Sequence, residues 1–594
     1  MAMTSPFGML DLSRSVYATP MMEGAGTGDE GTAEGSRERG FEDRIRRDQL
    51  QALGLRAHPK PSGVTVHSIH ILRLEVFDEA ETPWLTPLNA LHALTRASRV
   101  HQELRLKPGE RYSQRLTLES ERNLRRSGLF AAVQVFPAAP LDSSELILLV
   151  ITRDLWSLRL ESAFNFTGSL LNGAQMSLVE RNLFGQGQQL RLSGALSPFT
   201  ESVGLSFVDP RLLGRYALAL GGGLRIGRQS GELEGGSASI SLSRPLYNLD
   251  QRWSYAFSFS GSNVLSRWTQ GGAQLVWDDP ETAAIESIPI QWWGRAIGAS
   301  AGLAWQRPGR WTVQSAGGLN LSWATLRPAA QLSARQAGQW ETSILPLARR
   351  ELGPYLQLSL FERRFETRRD VSTFDLSEDL RLGPSASFSF GLPVSLDDGA
   401  LARQGGLQLR SVWGPEAGKA EDGFLSLSAG GGARHSALGW SDMRLSASLL
   451  VVSPRASLGR LVLRSDWVSR WADSSRSLLS LGGSEGLRGY PTQAFYQQGG
   501  ERFRGNLEYR GRPLRWLSVV LGPVLFLDVG GLHQRGEPLP IYSAAGAGLR
   551  LLFPQFNRSV FRLDGAAPLG GRGWQVLLSG GSQQAFPVMS WETR

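Results

Sequence analysis

The chain of 594 residues contains no cysteine. Disulfides and thiolate metal sites are therefore excluded. Lysine is scarce as well. Only Lys60, Lys107 and Lys419 occur, so arginine carries nearly all of the positive charge behind the formal net of +9. The arginines are spread along the chain without a basic tail. That distribution suits a polar lumen or anionic lipid headgroups at least as well as nucleic acid. No apolar run reaches the roughly 18 residues of a membrane-spanning helix. Residues 1–40 lack the basic start and apolar core of a secretory signal peptide, so export is left unexplained by this stretch. The dinucleotide fingerprint, the phosphate-binding loop and the zinc-protease motif are all missing.

Glycine is what the chain has in excess: 69 of 594 residues, well above the usual share of about 7%. No collagen period accounts for it. Short strands joined by tight turns do.

Three regions differ in pattern. Residues 1–63 are expected to be disordered or weakly structured, with a short amphipathic helix at 41–55 as a candidate plug. Residues 64–153 read as β-α-α-β-β, a small α+β domain. Its first helix is expected from Leu88, Leu91 and Leu94, and its second runs to a stop at Gly128. From 154 to 594 strict alternation recurs. Trp253, Tyr255, Phe257 and Phe259 share one face of a strand, and Ser254, Ala256, Ser258 and Ser260 share the other. Period two gives each strand one apolar and one polar face. A soluble sandwich turns the apolar face inward, whereas a membrane barrel turns it to lipid and keeps a wet lumen. Long strands, no blade-length repeat, and Trp156, Trp253, Trp292, Trp293, Trp311, Trp467, Trp471 and Trp516 near strand ends favour the barrel.

Candidate chemistry is thin. His67 and His70 lie three apart in a strand and point to opposite faces, a poor metal pair. Gly221–Gly227 is glycine-rich but sits inside a strand pattern. Gly482-Gly483-Ser484-Glu485-Gly486 fits G-x-S-x-G, the turn that presents a nucleophilic serine between a strand and a helix. The next residues are Leu487-Arg488-Gly489-Tyr490-Pro491, with no helical pattern, and only His533 lies downstream. Catalysis is not expected.

Leu487-Arg488-Gly489-Tyr490 has the form [VIL]-R-G-[FY]. Phe526-Leu527-Asp528-Val529-Gly530 has the form F-x-D-x-G, and Glu508 lies in the preceding strand. Glu180-Arg181-Asn182-Leu183-Phe184-Gly185-Gln186-Gly187 fits E-x-N-L-x-G-x-G. Phe207-Val208-Asp209-Pro210 fits a strand-ending F-x-[DE]-P. On these residues the chain resembles the BamA/TamA surface-antigen superfamily of outer-membrane barrels, and 64–153 resembles its POTRA (polypeptide-transport-associated) domain.

The resemblance implies a mainly β protein: a closed antiparallel transmembrane β-barrel of about 16 strands over 154–594, behind one periplasmic POTRA domain. Alternating segments number nearly 20, and the excess is assigned to loop hairpins. It also implies a loop folded into the lumen, locked by Arg488, Gly489 and Tyr490 against Asp528 with Glu508 close by. Glu180, Asn182, Gly185, Phe526 and Gly530 are implied barrel-motif residues, and Gly581 and Phe586 a terminal-strand signal. The implied function is insertion, assembly or translocation of polypeptides at the outer membrane, without catalysis, cofactor or metal. Implied partners are outer-membrane lipid, unfolded or partly folded client polypeptides and accessory periplasmic proteins, and no nucleic acid. The alternatives are a secretion pore dedicated to one partner and a passive structural barrel.

Overall fold

The computed structural model describes residues 45–77, 83–167, 170–246, 251–270, 273–279, 287–369, 377–415, 423–483, 485–491, 493–516, 519–552, 560–571 and 573–581. Residues 1–44, Ser484 and Phe586 thus lie outside the described residues.

The small N-terminal unit is a four-stranded sheet with helices on both faces. Its strands are β1 (Leu55–Ala57), β2 (Val66–Leu74), β3 (Phe130–Pro140) and β4 (Leu146–Asp154), in the order β1-β3-β4-β2. The β2 strand runs parallel to β4 and forms one edge of the sheet. Helix Gln114–Arg126 places Leu124 in a core with Val66, Val100, Leu106, Val133 and Leu148. Gly128, at φ 67°, ends this helix as its position predicts.

Two expectations are corrected here. Residues 45–52 form a helix, but it is no plug. Ile45, Leu50 and Leu55 pack on Phe136, Ala138, Leu149 and Ile151 of the small sheet. Strand β1 then pairs with β3, so the ordered unit reaches well before residue 64. Nor is there one helix through Leu88, Leu91 and Leu94. A 3-10 turn (Thr86–Leu91) gives way to extended chain at His92 (φ −111°, ψ 132°), and a short helix resumes at Ala97–His101. The extended stretch binds the next domain through its backbone, and those tertiary bonds outweigh helical propensity.

From Leu158 onward one antiparallel sheet forms a closed barrel. The first strand, β5 (Leu158–Thr167), pairs with β6 (Leu170–Leu183) from Leu158↔Glu180 to Thr167↔Leu170. The last strand, Gln575–Gly581, meets β5 through only Leu577↔Asn165, Leu578↔Phe164 and Ser579↔Ala163 among the described residues. Among the described residues, twenty-three strand segments enter the barrel order. Three of them, Arg364–Arg369, Val394–Ser395 and Leu514–Trp516, continue a neighbour, leaving twenty positions. The expectation of about 16 is corrected: the extra alternating segments are barrel staves. The loop hairpins are separate, at 269–274, 276–289 and 478–498.

Alternation sets the two faces. Trp253, Phe257 and Phe259 are exposed on the outer wall, while Ser254 and Ala256 are buried inside. The Ser258 and Ser300 hydroxyls meet at 2.6 Å across adjacent strands. The glycine-rich stretch at 221–227 lies in strand Tyr216–Gly227, as its pattern predicts. Trp292 departs from the expected belt. It is buried with Trp268, Ile288, Ile290 and Trp340 in a cluster built by the long loops at the end away from the small domain.

Candidate functional site: a loop pinned inside the barrel

Residues 472–499 connect strands Gly459–Trp471 and Gly500–Gly511 at the far end of the barrel. The short hairpin Leu478–Leu481 with Phe495–Gln498 forms the neck of this loop. Its tip turns back inward. Gly482 (φ 133°) and Gly486 (φ 123°) hold backbone angles that side chains rarely adopt. A Cβ on Gly486 would also stand 2.6 Å from Arg504 Cδ. The turn closes through Gly483 N–H donating to the Tyr490 carbonyl at 2.9 Å. The described residues 485–491 are turns, with no helix after the G-x-S-x-G match. The strand-to-helix setting that a nucleophilic serine needs is therefore missing.

Arg488 is fully buried at the tip. Its Nε donates to Asp528 Oδ2 at 2.8 Å and its Nη2 to Asp528 Oδ1 at 2.7 Å. Its backbone N–H adds a third bond to Oδ2 at 3.0 Å. Nη1 donates to Glu508 Oε1 at 2.9 Å. The guanidinium lies over the Phe526 ring, 3.4 Å from its centroid. A planar fork can bind one carboxylate at two points and still stack on an aromatic face, which lysine cannot do.

The F-x-D-x-G strand (Val519–His533) thus supplies three things at alternate inward positions. Phe526 is the platform and Asp528 the anion. Gly530 leaves space for the neck, because a Cβ there would lie 2.9 Å from Leu481 Cδ2. Gly489 does the same at the tip, where a Cβ would approach the Ala567 backbone to 2.8 Å. Tyr490 packs against Phe495 and Tyr542, with ring centroids 5.2 and 6.0 Å apart.

Sequence reasoning missed half of the charge cluster. Asp564 sits 3.6 Å from Arg488 and binds Arg550 at 2.6 Å. Glu508 also takes Arg510 at 3.0 Å. Asn506 donates to Asp528 at 2.8 Å and to the Gly486 carbonyl at 3.1 Å, tying wall to loop. Three acids thus meet three arginines in a space closed to solvent, and a fourth arginine, Arg562, is buried in the same wall. Inward alternation of Arg550, Arg562 and Asp564 was the available signal, but only barrel register shows which of them meet.

The opposite wall differs. From Thr200–Leu212 to Trp311–Pro328 the central inward positions are serine, glycine, alanine and asparagine. A concavity of about 430 Å³ lies there against Ser206, Gly221, Ser239, Ser260, Gly298 and Asn320.

The E-x-N-L-x-G-x-G turn does a different job from the loop. Glu180 accepts from Asn182 N–H at 2.7 Å, and Asn182 Oδ1 accepts from Gly187 N–H at 2.9 Å. This shapes the turn. Asn182 Nδ2 then reaches the small domain, donating to the Ala93 carbonyl at 3.0 Å and to Thr95 Oγ1 at 2.9 Å. The Gly185 carbonyl accepts from Arg96 N–H at 2.8 Å. Asp154 gathers Thr95 N–H and Oγ1–H at 2.7 Å each, with His92 Nε2 at 3.0 Å. On the next turn Arg211 grips Glu103 at 2.9 and 2.7 Å, and Arg99 shares that carboxylate. Burial alone would push Glu103 up, but Arg211 and Arg99 hold it below its ordinary value. The small domain is therefore docked rigidly on the barrel base. Gly581 pairs with Val560 in the last strand.

No family model and no curated relative matches the chain. Solved structures similar to it include BamA from Haemophilus ducreyi lacking POTRA domains 1–3, at 13% identity and a TM-score of 0.34 over 96% of this chain and 98% of that one. CdiB from Escherichia coli is similar at 14% and 0.39, covering 93% and 100%. CdiB from Acinetobacter baumannii is similar at 12% and 0.36, covering 93% and 99%.

Proposed function

We propose that this chain is an outer-membrane β-barrel with one periplasmic POTRA-type domain, and that it assists insertion or assembly of other polypeptides at that membrane. The observation that carries the reading is the loop pinned by Arg488 to Asp528 and Glu508 in a wall of buried, opposed charges. Such a loop braces strands Gly500–Gly511, Val519–His533 and Val560–Pro568, and this braced wall ends one strand short of the junction between the last strand and the first. Among the described residues, the junction between Gln575–Gly581 and β5 pairs at only three positions, and so offers few backbone bonds to an opening force. A client hairpin can replace them strand for strand, because main-chain pairing tolerates many sequences. The β2 edge of the small domain offers the same pairing to an unfolded chain on its way. Lock residues Arg488, Gly489, Tyr490, Asp528 and Glu508 hold the brace. Asn182 and Gly185 fix the domain beneath it.

The test is a photo-crosslinking residue at exposed His70 on β2, introduced in cells, with the trapped chains identified. Many unrelated barrel chains would support assembly, and an empty trap would leave a passive barrel. The uncharged serine and glycine wall supports a second reading, a secretion pore. In that case one partner alone should be trapped.

A further inference from the structure

Four large apolar side chains stand in the open where the small domain meets the barrel base. Trp84 is 69% exposed and Leu91 75%, both on the small domain. Phe184 and Leu213 are 65% and 82% exposed at the tips of the first two basal turns. This is no loose loop. Asn89 binds both backbone groups of Phe77, at 3.2 and 2.9 Å. Leu85 is buried beside Val76 and Phe77, with Leu88 and Trp156 packed on them. The stretch 83–91 is thus held with one apolar side inward and Trp84 and Leu91 outward.

The residues that follow it bind to the barrel side. Arg96 Nε donates to the Phe184 carbonyl at 2.9 Å, and His92 lies 3.2 Å from Ser157. Trp156 leads directly into β5, whose Leu158 and Leu160 are exposed on the outer wall. Trp156, partly buried against Val76, Phe77 and Leu85, thus links this stretch to the start of β5. Phe184 (φ 55°) and Leu213 (φ 51°) occupy left-handed positions that favour glycine or asparagine. Large apolar residues hold those strained tips. Arg96 and Arg215 are exposed beside them. An apolar tip flanked by arginine matches the junction of acyl chains and phosphate headgroups, where Trp also concentrates.

We infer that Trp84 and Leu91, with Phe184 and Leu213, seat the small domain in the headgroup layer of the membrane leaflet on its own side. This rests on the reading of the barrel as membrane-spanning. The domain then hugs the bilayer beneath β5, at the strand junction where a client would enter.

The absence of cysteine makes the test clean. Single-cysteine variants Trp84→Cys, Leu91→Cys, Phe257→Cys and Leu141→Cys are spin-labelled in the full chain. They are reconstituted in vesicles of phosphatidylethanolamine and phosphatidylglycerol. Accessibility to oxygen is compared with accessibility to a water-soluble nickel chelate. Labels at 84 and 91 should favour oxygen, as at Phe257, while Leu141, on a distant turn of the small domain, should favour nickel. Labels at 84 and 91 that behave like Leu141, with Phe257 in lipid, overturn the inference alone. A nickel-accessible Phe257 overturns the membrane reading itself. Protection at 84 and 91 only when an unfolded barrel chain is added assigns the surface to polypeptide and overturns the lipid seat.

Discussion

Arg488 and Asp528 meet through three hydrogen bonds, two from the guanidinium fork and one from the arginine's own backbone N–H. Residues forty positions apart are thereby joined in a space with no solvent. Either alone would be an uncompensated buried charge.

Breaking this pair should be costly and non-additive. Arg488→Ala and Asp528→Ala should each lose about 3–5 kcal/mol of stability, the scale for a broken buried ion pair. The double variant should lose less than the sum, since both remove one interaction. Arg488→Lys should restore little, because an ammonium cannot reproduce the fork. Urea unfolding in vesicles measures this, and strictly additive losses would make the loop an ordinary surface feature.

The outer and inner walls should answer differently to charge. Phe257→Arg should cost about 2–4 kcal/mol if the ring sits at mid-bilayer. Ser258→Arg, one position on and facing the lumen, should cost much less. Equal penalties at both positions would contradict a lipid-facing outer wall.

Docking of the small domain should weaken in acid. Glu103 is held below its ordinary pKa by Arg211 and Arg99. Its folded value is thus lower than its unfolded one. The stabilisation is full above the ordinary carboxylate range near about 4.3. It is lost as pH falls further, through the folded value. Label-to-label distances between domain and barrel should broaden there, and Glu103→Gln should broaden them already at neutral pH. Distances indifferent to both would show that Arg211 contributes nothing to docking.

Gly185→Ala should loosen the same joint without touching charge. The glycine has φ 72°, and a Cβ would strike the Leu94 carbonyl. Limited proteolysis between the domains should accelerate severalfold, while cleavage inside the barrel stays unchanged. Unchanged cutting at the joint would remove the turn from any docking role.

Much of the architecture was legible along the chain because its cause is local. Alternation in Trp253–Ser260 assigns faces, since successive side chains on a strand point oppositely. Gly128 marks a helix end because few other residues take its conformation. The pairing of the loop arginine with its acid has no such local cause and followed only from the resemblance of the LRGY and F-x-D-x-G stretches to a known family. Other features are decided only by tertiary structure. The periodic leucines of 88–94 promise a helix, yet Thr95, Arg96 and Ala93 surrender their backbone groups to Asn182, Gly185 and Asp154. Asp564, Arg550 and Arg510 look like any inward residues until closure and register place them around Arg488. The number of staves and the division of the lumen into a charged wall and a serine wall have the same origin. Strand pairing joins residues far apart in sequence, and periodicity carries each residue's face but not its neighbour.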